Sequence, residues 1–203
     1  MMYHISRFLF EVFFRVLLKV TFVGRENIPD APYIAVANHA SLADPPFVGS
    51  ACKKDAVSFM AKKELFDAPI LGAWTRSVNC IPVNRGSASA TSLKEAIKRI
   101  GEGKVVAVFP EGTRSEDGNL QEAKRGIGFI IAKAKVPVVP IYIEGSNIAF
   151  PKGRKIKIGT PVKVIVGKPV MPEEFSEKDE HSGKQNYEKI TNMVMERIAG
   201  LKS

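Results

Sequence analysis

The segment Asn38-His39-Ala40-Ser41-Leu42-Ala43-Asp44-Pro45-Pro46 sets a histidine directly after an apolar run, Tyr33–Ala37, and an aspartate five residues later. Histidine is the side chain whose ordinary titration range suits a general base near neutral pH, and a carboxylate can orient its ring. In a regular helix an offset of five is about 140° around the axis, so the two side chains diverge. They meet if a turn separates them and a helix starts at Asp44. Pro45 favours such a start, because proline suits the first helical position. The alternative is that Asp44 only caps that helix. Pro46 lacks an N–H as well, so a cap would reach only a later donor. His4 lies in an apolar N-terminal segment and His181 in a polar connection, so His39 is the general-base candidate by position.

A second constellation is Phe109-Pro-Glu-Gly-Thr-Arg-Ser115. It also follows an apolar run, Lys104–Phe109. Gly112 lets the backbone approach a ligand closely. Arg114 offers a planar fork of donors that matches a phosphate. The alternative is an ordinary turn with a solvated arginine. Further cations stand in similar places: Arg85 after Ile81-Pro-Val-Asn, Lys62 and Lys63 after an apolar run ending at Met60, and Lys124 and Arg125 before Gly126. Singly, each reads as a solvated surface charge. Several beside the same strand ends point to an anion.

The elements that must position these residues alternate in type. Tyr33–Ala37, Ala56–Met60, Lys104–Phe109 and Val136–Glu144 are strand-like apolar runs. A helix is expected from Pro45, and others over Ala88–Ile100, Gly126–Lys135 and Tyr187–Leu201. Ile156–Ile158 and Val162–Val166, separated by Gly-Thr-Pro, predict a hairpin. Met171–Gln185 is a polar connection. The alternation argues for one α/β domain with a mostly parallel sheet flanked by helices. In open sheets of that kind, ligands bind at the carboxyl ends of the strands, where His39 and the 109–115 segment both fall.

The first 22 residues are apolar, yet Arg7, Glu11, Arg15 and Lys19 step by four. On a helix they form one narrow stripe, and Phe, Leu and Val fill the remaining arc. An arc that wide suits a helix lying in a membrane interface. The competing reading is a helix packed on the protein's own core. No uncharged apolar run reaches the ~18 residues of a membrane span. Glu11 and Arg15 interrupt any signal-peptide core.

The chain has 203 residues, 45% hydrophobic and 25% charged, with a formal charge of +9. These values fit a globular domain and exclude a disordered or low-complexity chain. The basic surface suits anionic lipid, phosphorylated substrates or nucleic acid. Nucleic acid is disfavoured, because the single Trp74 and four tyrosines offer few stacking platforms. Cys52 and Cys80 are too few for a disulfide framework or a cysteine-based zinc site. No phosphate-binding glycine loop, nucleophile elbow or clustered histidine pair occurs.

Taken in order, Asn38-His39-x4-Asp44-Pro45, Ile81-Pro-Val-Asn-Arg85, Phe109-Pro-Glu-Gly-Thr-Arg-Ser115 and Val136-Pro-Val-Val-Pro140 resemble the four blocks of the glycerolipid acyltransferases. They span about half the chain, and Lys62-Lys63-Glu64-Leu65 resembles the family's lysine-containing segment between the first two. Within that family the chain looks most like bacterial enzymes acting on 1-acyl-glycerol 3-phosphate. The resemblance implies transfer of a fatty acyl group from acyl-CoA or acyl carrier protein to the 2-hydroxyl of lysophosphatidic acid, giving phosphatidic acid. An acceptor such as glycerol 3-phosphate or another lysolipid is the alternative within the family; a non-catalytic phospholipid-binding protein is the alternative outside it.

It also implies roles. His39 and Asp44 would be catalytic. Arg85 and Arg114, with Lys62 or Lys63, would hold the acceptor phosphate. Glu111, Gly112 and Thr113 would shape the pocket, and a backbone N–H near Gly112 is a candidate for the oxyanion. No bound cofactor and no metal are expected. The expected partners are a membrane phospholipid surface, lysophosphatidic acid and the acyl donor, and no nucleic acid. Residues 1–22 would be a membrane-interface helix and 23–203 the acyltransferase domain. The enzyme would sit on the cytoplasmic face of the cell membrane, peripheral or monotopic.

Overall fold

The apolar runs of the sequence become neighbouring strands, and their alternate side chains enter two different cores. In a computed structural model of the chain, residues 2–52, 55–84, 89–124, 126–151, 153–175 and 186–202 are described. The order is α1 (Met2–Leu17), β1 (Lys19–Val23), β2 (Ile34–Ala37), α2 (Asp44–Ala51), β3 (Val57–Lys62), α3 (Glu64–Asp67), α4 (Pro69–Ser77), β4 (Ile81–Val83), α5 (Ala90–Gly101), β5 (Val105–Val108), α6 (Gly126–Ala134), β6 (Val138–Glu144), α7 (Ser146–Ala149), β7 (Pro161–Val166) and α8 (Tyr187–Ala199). Among the described residues the strands form one sheet in the order β1-β7-β6-β2-β5-β3-β4. Every pair is parallel except β6 with β7.

Ala35 and Ala37 of β2, Ala107 of β5 and Ile141 and Ile143 of β6 face α1 and α2, represented by Phe14, Phe47 and Val48. Ile34, Val36, Val106 and Val138 face α5, α6 and α8, represented by Ile100, Ile130 and Val194. Strands buried on both faces read as continuous apolar runs, which is why they are visible in the sequence. β2 lies between β5 and β6, so the chain crosses β2 when it passes from β5 to β6. That crossing is a topological switch point, and the carboxyl end of β2 opens there.

Two expectations are corrected. The N-terminal helix ends at Leu17, and Lys19–Val23 is a strand paired in parallel with β7. The run Lys-Val-Thr-Phe-Val is rich in β-branched residues, and an open edge of β7 receives it. The first 22 residues are therefore not one helix, and part of them belongs to the sheet. The hairpin over Ile156–Val166 does not form: Ile156–Ile158 is not a strand. β7 already has β6 on one edge and β1 on the other, which leaves no free edge for it. The short elements β4, α3, α4 and α7 were not expected from the sequence.

The wide apolar arc of α1 resolves into two faces. Tyr3, Phe14 and the half-buried Phe10 and Leu17 pack on the core. Phe14 meets the Phe47 ring at 4.4 Å between centroids. Ile5, Phe8, Leu9, Val12, Phe13 and Val16 are exposed. At about 100° per residue the two sets lie on different sides of the helix, with Arg7, Glu11 and Arg15 between them. No helix among the described residues is long and apolar enough to cross a membrane.

These faces predict unequal costs. Phe14→Ala should lower unfolding free energy by about 3–5 kcal/mol, as expected for an emptied aromatic core site. Phe13→Ala should cost less than about 1 kcal/mol. Urea unfolding of both variants without lipid checks this; equal losses would contradict the packing described.

Candidate active site

β2 ends at Ala37 because its neighbour β6 is extended by a side chain instead of by backbone. The Asn38 amide accepts from the Ile143 N–H at 2.7 Å and donates to the Ile143 carbonyl at 2.9 Å. A side-chain amide has one acceptor and one donor in the geometry of a peptide group, so it prolongs the ladder while the chain turns away. His39 is thereby the first residue to leave the sheet.

The turn from His39 to Asp44 is held by one carboxylate oxygen. Asp44 Oδ2 accepts from the Ala40 N–H at 2.7 Å and the Ser41 N–H at 2.6 Å, and lies 2.9 Å from His39 Nδ1. α2 starts at Asp44, its cap position is Ala43, and that position makes no side-chain capping bond. Asp44 therefore turns back towards His39 instead of capping the helix. Pro45 and Pro46 occupy the first turn, where missing N–H groups cost no helical bond. Because Oδ2 acts as acceptor for two backbone N–H groups, the ring nitrogen facing it is the N–H nitrogen, and Nε2 carries the free lone pair. His39 Nε2 bonds to no described residue.

The 109–115 segment closes the other side. The His39 ring stacks on Phe109, with centroids 4.2 Å apart at 22°. The His39 N–H donates to Glu111 Oε1 at 3.0 Å, and the Ser115 N–H donates to the His39 carbonyl at 2.8 Å. Both backbone groups of His39 are thus fixed by the loop that carries Arg114. Arg114 is half-buried and Thr113 is exposed, with its hydroxyl on Gln121 at 3.1 Å. Gly112 adopts φ +66°, and a Cβ there would stand 3.3 Å from the Lys124 stem. Lys124 is therefore brought beside this loop, with its N–H on the Pro110 carbonyl. The Gly112 N–H donates to the Phe109 carbonyl at 3.1 Å, so it closes the turn and is not free for an oxyanion.

Lys62 and Lys63 are exposed at the carboxyl end of β3, where the Lys63 N–H donates to the Val83 carbonyl. At the carboxyl edge of the sheet they stand one strand from the Arg114 loop after β5 and two strands from His39 after β2. Arg85 lies outside the described residues. Among the described residues no three His, Cys, Asp or Glu side chains stand together as a metal site. Sequence reasoning did not assign the Asn38 bridge or the Phe109 platform. Both had a signal: an amide at a strand's end, and an aromatic ending an apolar run beside a histidine.

A family model described as Acyltransferase matches residues 19–144. The chain belongs to the acyltransferase family. It is 30% identical over 182 residues to a 1-acyl-sn-glycerol-3-phosphate acyltransferase of Bacillus subtilis, covering 89% of this chain and 86% of that one. It is 34% identical over 157 residues to a chloroplastic 1-acyl-sn-glycerol-3-phosphate acyltransferase of Arabidopsis thaliana, covering 75% of this chain and 44% of that one. The chain thus spans less than half of the plant protein's length. Among solved structures it is similar to the 1-acyl-sn-glycerophosphate (LPA) acyltransferase PlsC from Thermotoga maritima, with TM-score 0.78, 32% identity, and coverage of 98% of this chain and 80% of that one.

In this acyltransferase Glu111 is nearly inaccessible, and its Oε2 has no partner among the described residues. Burial pushes its carboxyl up to about 7, and the negative charge of Asp44 adds to the rise; N–H bonds from His39 and Gln121 oppose it. Between the ordinary value of 4.5 and about 7 the folded chain binds more protons than the unfolded one. Stability from this group is complete below that window, falls as pH rises through it, and is level above. Glu111→Gln removes the titration. The stability of the Gln variant relative to the parent should therefore rise between pH 5 and pH 8. Urea midpoints at the two pH values test this, and a constant difference would contradict it.

Proposed function

We propose that the chain transfers a fatty acyl group from an acyl thioester to the 2-hydroxyl of 1-acyl-glycerol 3-phosphate, making phosphatidic acid. The observation that carries this is the His39–Asp44 pair at the end of β2, with Nε2 bonded to no described residue and the Arg114 loop bonded to the backbone of the same histidine. It stands in a chain similar over most of its length to proteins named for this acceptor.

His39 Nε2 takes the proton of the acceptor hydroxyl as its oxygen attacks the thioester carbonyl. Asp44 keeps the ring in the tautomer that leaves Nε2 free and stabilises the imidazolium that forms. The attack forms the C–O bond of a tetrahedral intermediate, and its collapse restores the carbonyl and breaks the C–S bond. The proton passes from His39 to the departing thiolate. The thioester, acyl-CoA or acyl carrier protein, brings the activated acyl group, so the reaction as written requires no bound cofactor and no metal. Arg114 holds the acceptor phosphate, with Arg85 and with Lys62 or Lys63 as further cations. Fixing the phosphate presents the hydroxyl to His39, an orientation effect. Glu111, Gly112 and Thr113 shape the loop that carries Arg114.

The product and acceptor are lipids, so the enzyme works as a peripheral or monotopic protein on the cytoplasmic face of the cell membrane. The exposed face of α1, Ile5 to Val16, lies among acyl chains, and Arg15 reaches the headgroups.

His39→Ala should lower turnover at least roughly 10²-fold with the fold retained. Asp44→Asn should lower kcat in the same direction with little change in acceptor KM. A folded His39→Ala enzyme with near-normal turnover would overturn the assignment. Arg114→Ala should reduce kcat/KM for the lysolipid by about 1.5–3 kcal/mol, the worth of a charge-assisted contact, and change the donor's KM much less. Equal effects on donor and acceptor would remove Arg114 from the phosphate. Steady-state assays with each substrate varied in turn supply all three results.

A further inference from the structure

The exposed apolar side chains of this protein are not confined to α1. Leu42 is 72% exposed, only three residues past His39 in the catalytic turn. Ile148, Ile156 and Ile158 are 51%, 45% and 72% exposed. Hydrogen bonds and ring contacts put these positions side by side. The Ser41 hydroxyl donates to the Phe150 carbonyl at 3.2 Å, which sets Leu42 beside α7. The Lys157 N–H donates to the Ala149 carbonyl at 2.9 Å, so Ile156 and Ile158 return to Ile148. The Gly159 N–H donates to the Leu17 carbonyl at 2.8 Å, and the Phe150 ring meets Phe14 at 5.8 Å, joining the segment to α1. A run of exposed apolar side chains therefore extends from the carboxyl end of α1, along the segment after β6, to the His39 turn.

The charge on the patch indicates its partner. Pro151–Ile158 reads Pro-Lys-Gly-Arg-Lys-Ile-Lys-Ile, with four cations and no anion. Arg154, Lys155 and Lys157 are exposed and alternate with the two isoleucines. Cations interleaved with apolar side chains fit an anionic lipid surface, where the charges meet headgroups and the isoleucines enter the acyl region. An acidic protein would meet the charges but leave the isoleucines in water.

We propose that Ser146–Gly159 is a second lipid-docking element, which together with Leu42 seats the mouth of the active site on an anionic bilayer. It deepens the membrane reading given above and rests on it. α1 supplies an apolar anchor at one side; this segment supplies charge recognition beside the catalytic turn and fixes the tilt of the enzyme. A lysolipid in the membrane then has its phosphate and hydroxyl at the level of Arg114 and His39.

The test uses the full chain and vesicles of phosphatidylcholine with and without phosphatidylglycerol. Three variants are compared with the parent by co-sedimentation: a charge variant (Arg154→Gln, Lys155→Gln, Lys157→Gln), an apolar variant (Ile148→Ser, Ile156→Ser, Ile158→Ser) and an α1 variant (Phe8→Ser, Leu9→Ser, Phe13→Ser). Each cation near the surface is worth roughly fivefold in binding. The charge variant should bind anionic vesicles at least about 10-fold more weakly and neutral vesicles little differently. The apolar variant should weaken on both. Turnover of a short-chain lysophosphatidic acid, monomeric in solution, should be unchanged in both segment variants, which also reports an intact fold. Should the serine variant misfold, the glutamine variant, altered only at exposed side-chain ends, decides. Unchanged vesicle binding in the segment variants overturns the proposal. If the α1 variant alone loses binding, the membrane reading stands without this segment; if the segment variants alone lose it, the segment stands and the α1 anchor falls. Loss of turnover only with acyl carrier protein as donor, with vesicle binding intact, overturns the proposal in favour of a protein partner.

Discussion

A buried carboxylate with three donors on one oxygen organises this enzyme. Asp44 is inaccessible to solvent, and its Oδ2 gathers the Ala40 N–H, the Ser41 N–H and the His39 ring. Leaving a buried charge without donors would cost several kcal/mol, and each charge-assisted bond returns about 1.5–3. The turn therefore gathers its donors on Oδ2, while the buried Oδ1 has no partner among the described residues, and in that conformation the imidazole is oriented. Orientation of the His39 ring is a consequence of burying Asp44. The same requirement explains why α2 begins with two prolines: they end the turn without adding N–H groups that would compete for the carboxylate.

The second constraint joins this turn to the 109–115 loop. His39 offers its N–H to Glu111 and its carbonyl to Ser115, while its ring rests on Phe109. A displacement of the 109–115 loop would therefore move the base. The His39 turn and the Arg114 loop are held as one unit, because β2 and β5 are adjacent parallel strands, with Val36 opposite Val108. The exposed apolar face of α1 belongs to the same unit. Phe14 is wedged among Phe47 of α2 and Phe150 beside the Ser41 hydroxyl, so the helix with the exposed apolar face packs directly behind the catalytic turn.

Much of this was legible in the sequence because the relevant signals are local. β2, β5 and β6 are buried on both faces, and continuous apolar runs announced them. A proline after Asp44 announced the helix start. What remained hidden depended on partners distant in the chain. β1 looks like the end of an amphipathic helix until β7, about 140 residues later, offers it an edge. β4 has only three residues, too few to show a period. The apolar arc of α1 could not be divided by sequence, since Phe13 and Phe14 are chemically alike and only the position of Phe47 makes one buried and the other exposed. The raised Glu111 carboxyl likewise owes its character first to burial between loops that follow different strands, with the Asp44 charge adding to it.

The arrangement also bears on how many covalent steps the transfer takes. An acyl-enzyme would need a side-chain nucleophile within reach of His39 Nε2. Ser41 shares the catalytic turn, but its hydroxyl is buried, donates to the Phe150 carbonyl and accepts from the Ala43 N–H. The Ser115 hydroxyl donates to Asp117 and accepts from the Gly118 N–H, and the Thr113 hydroxyl donates to Gln121. Cys52 and Cys80 are buried in the core, with thiols pushed up to about 12 and about 11 by desolvation, so neither presents a thiolate. Each of these hydroxyls and thiols is committed to structure, and among the described residues none bonds to His39 Nε2. In the transfer proposed above, the oxygen that His39 activates then arrives with the substrate, and the acyl group passes directly from thioester to acceptor alcohol, with the proposed phosphate contact placing that alcohol beside Nε2.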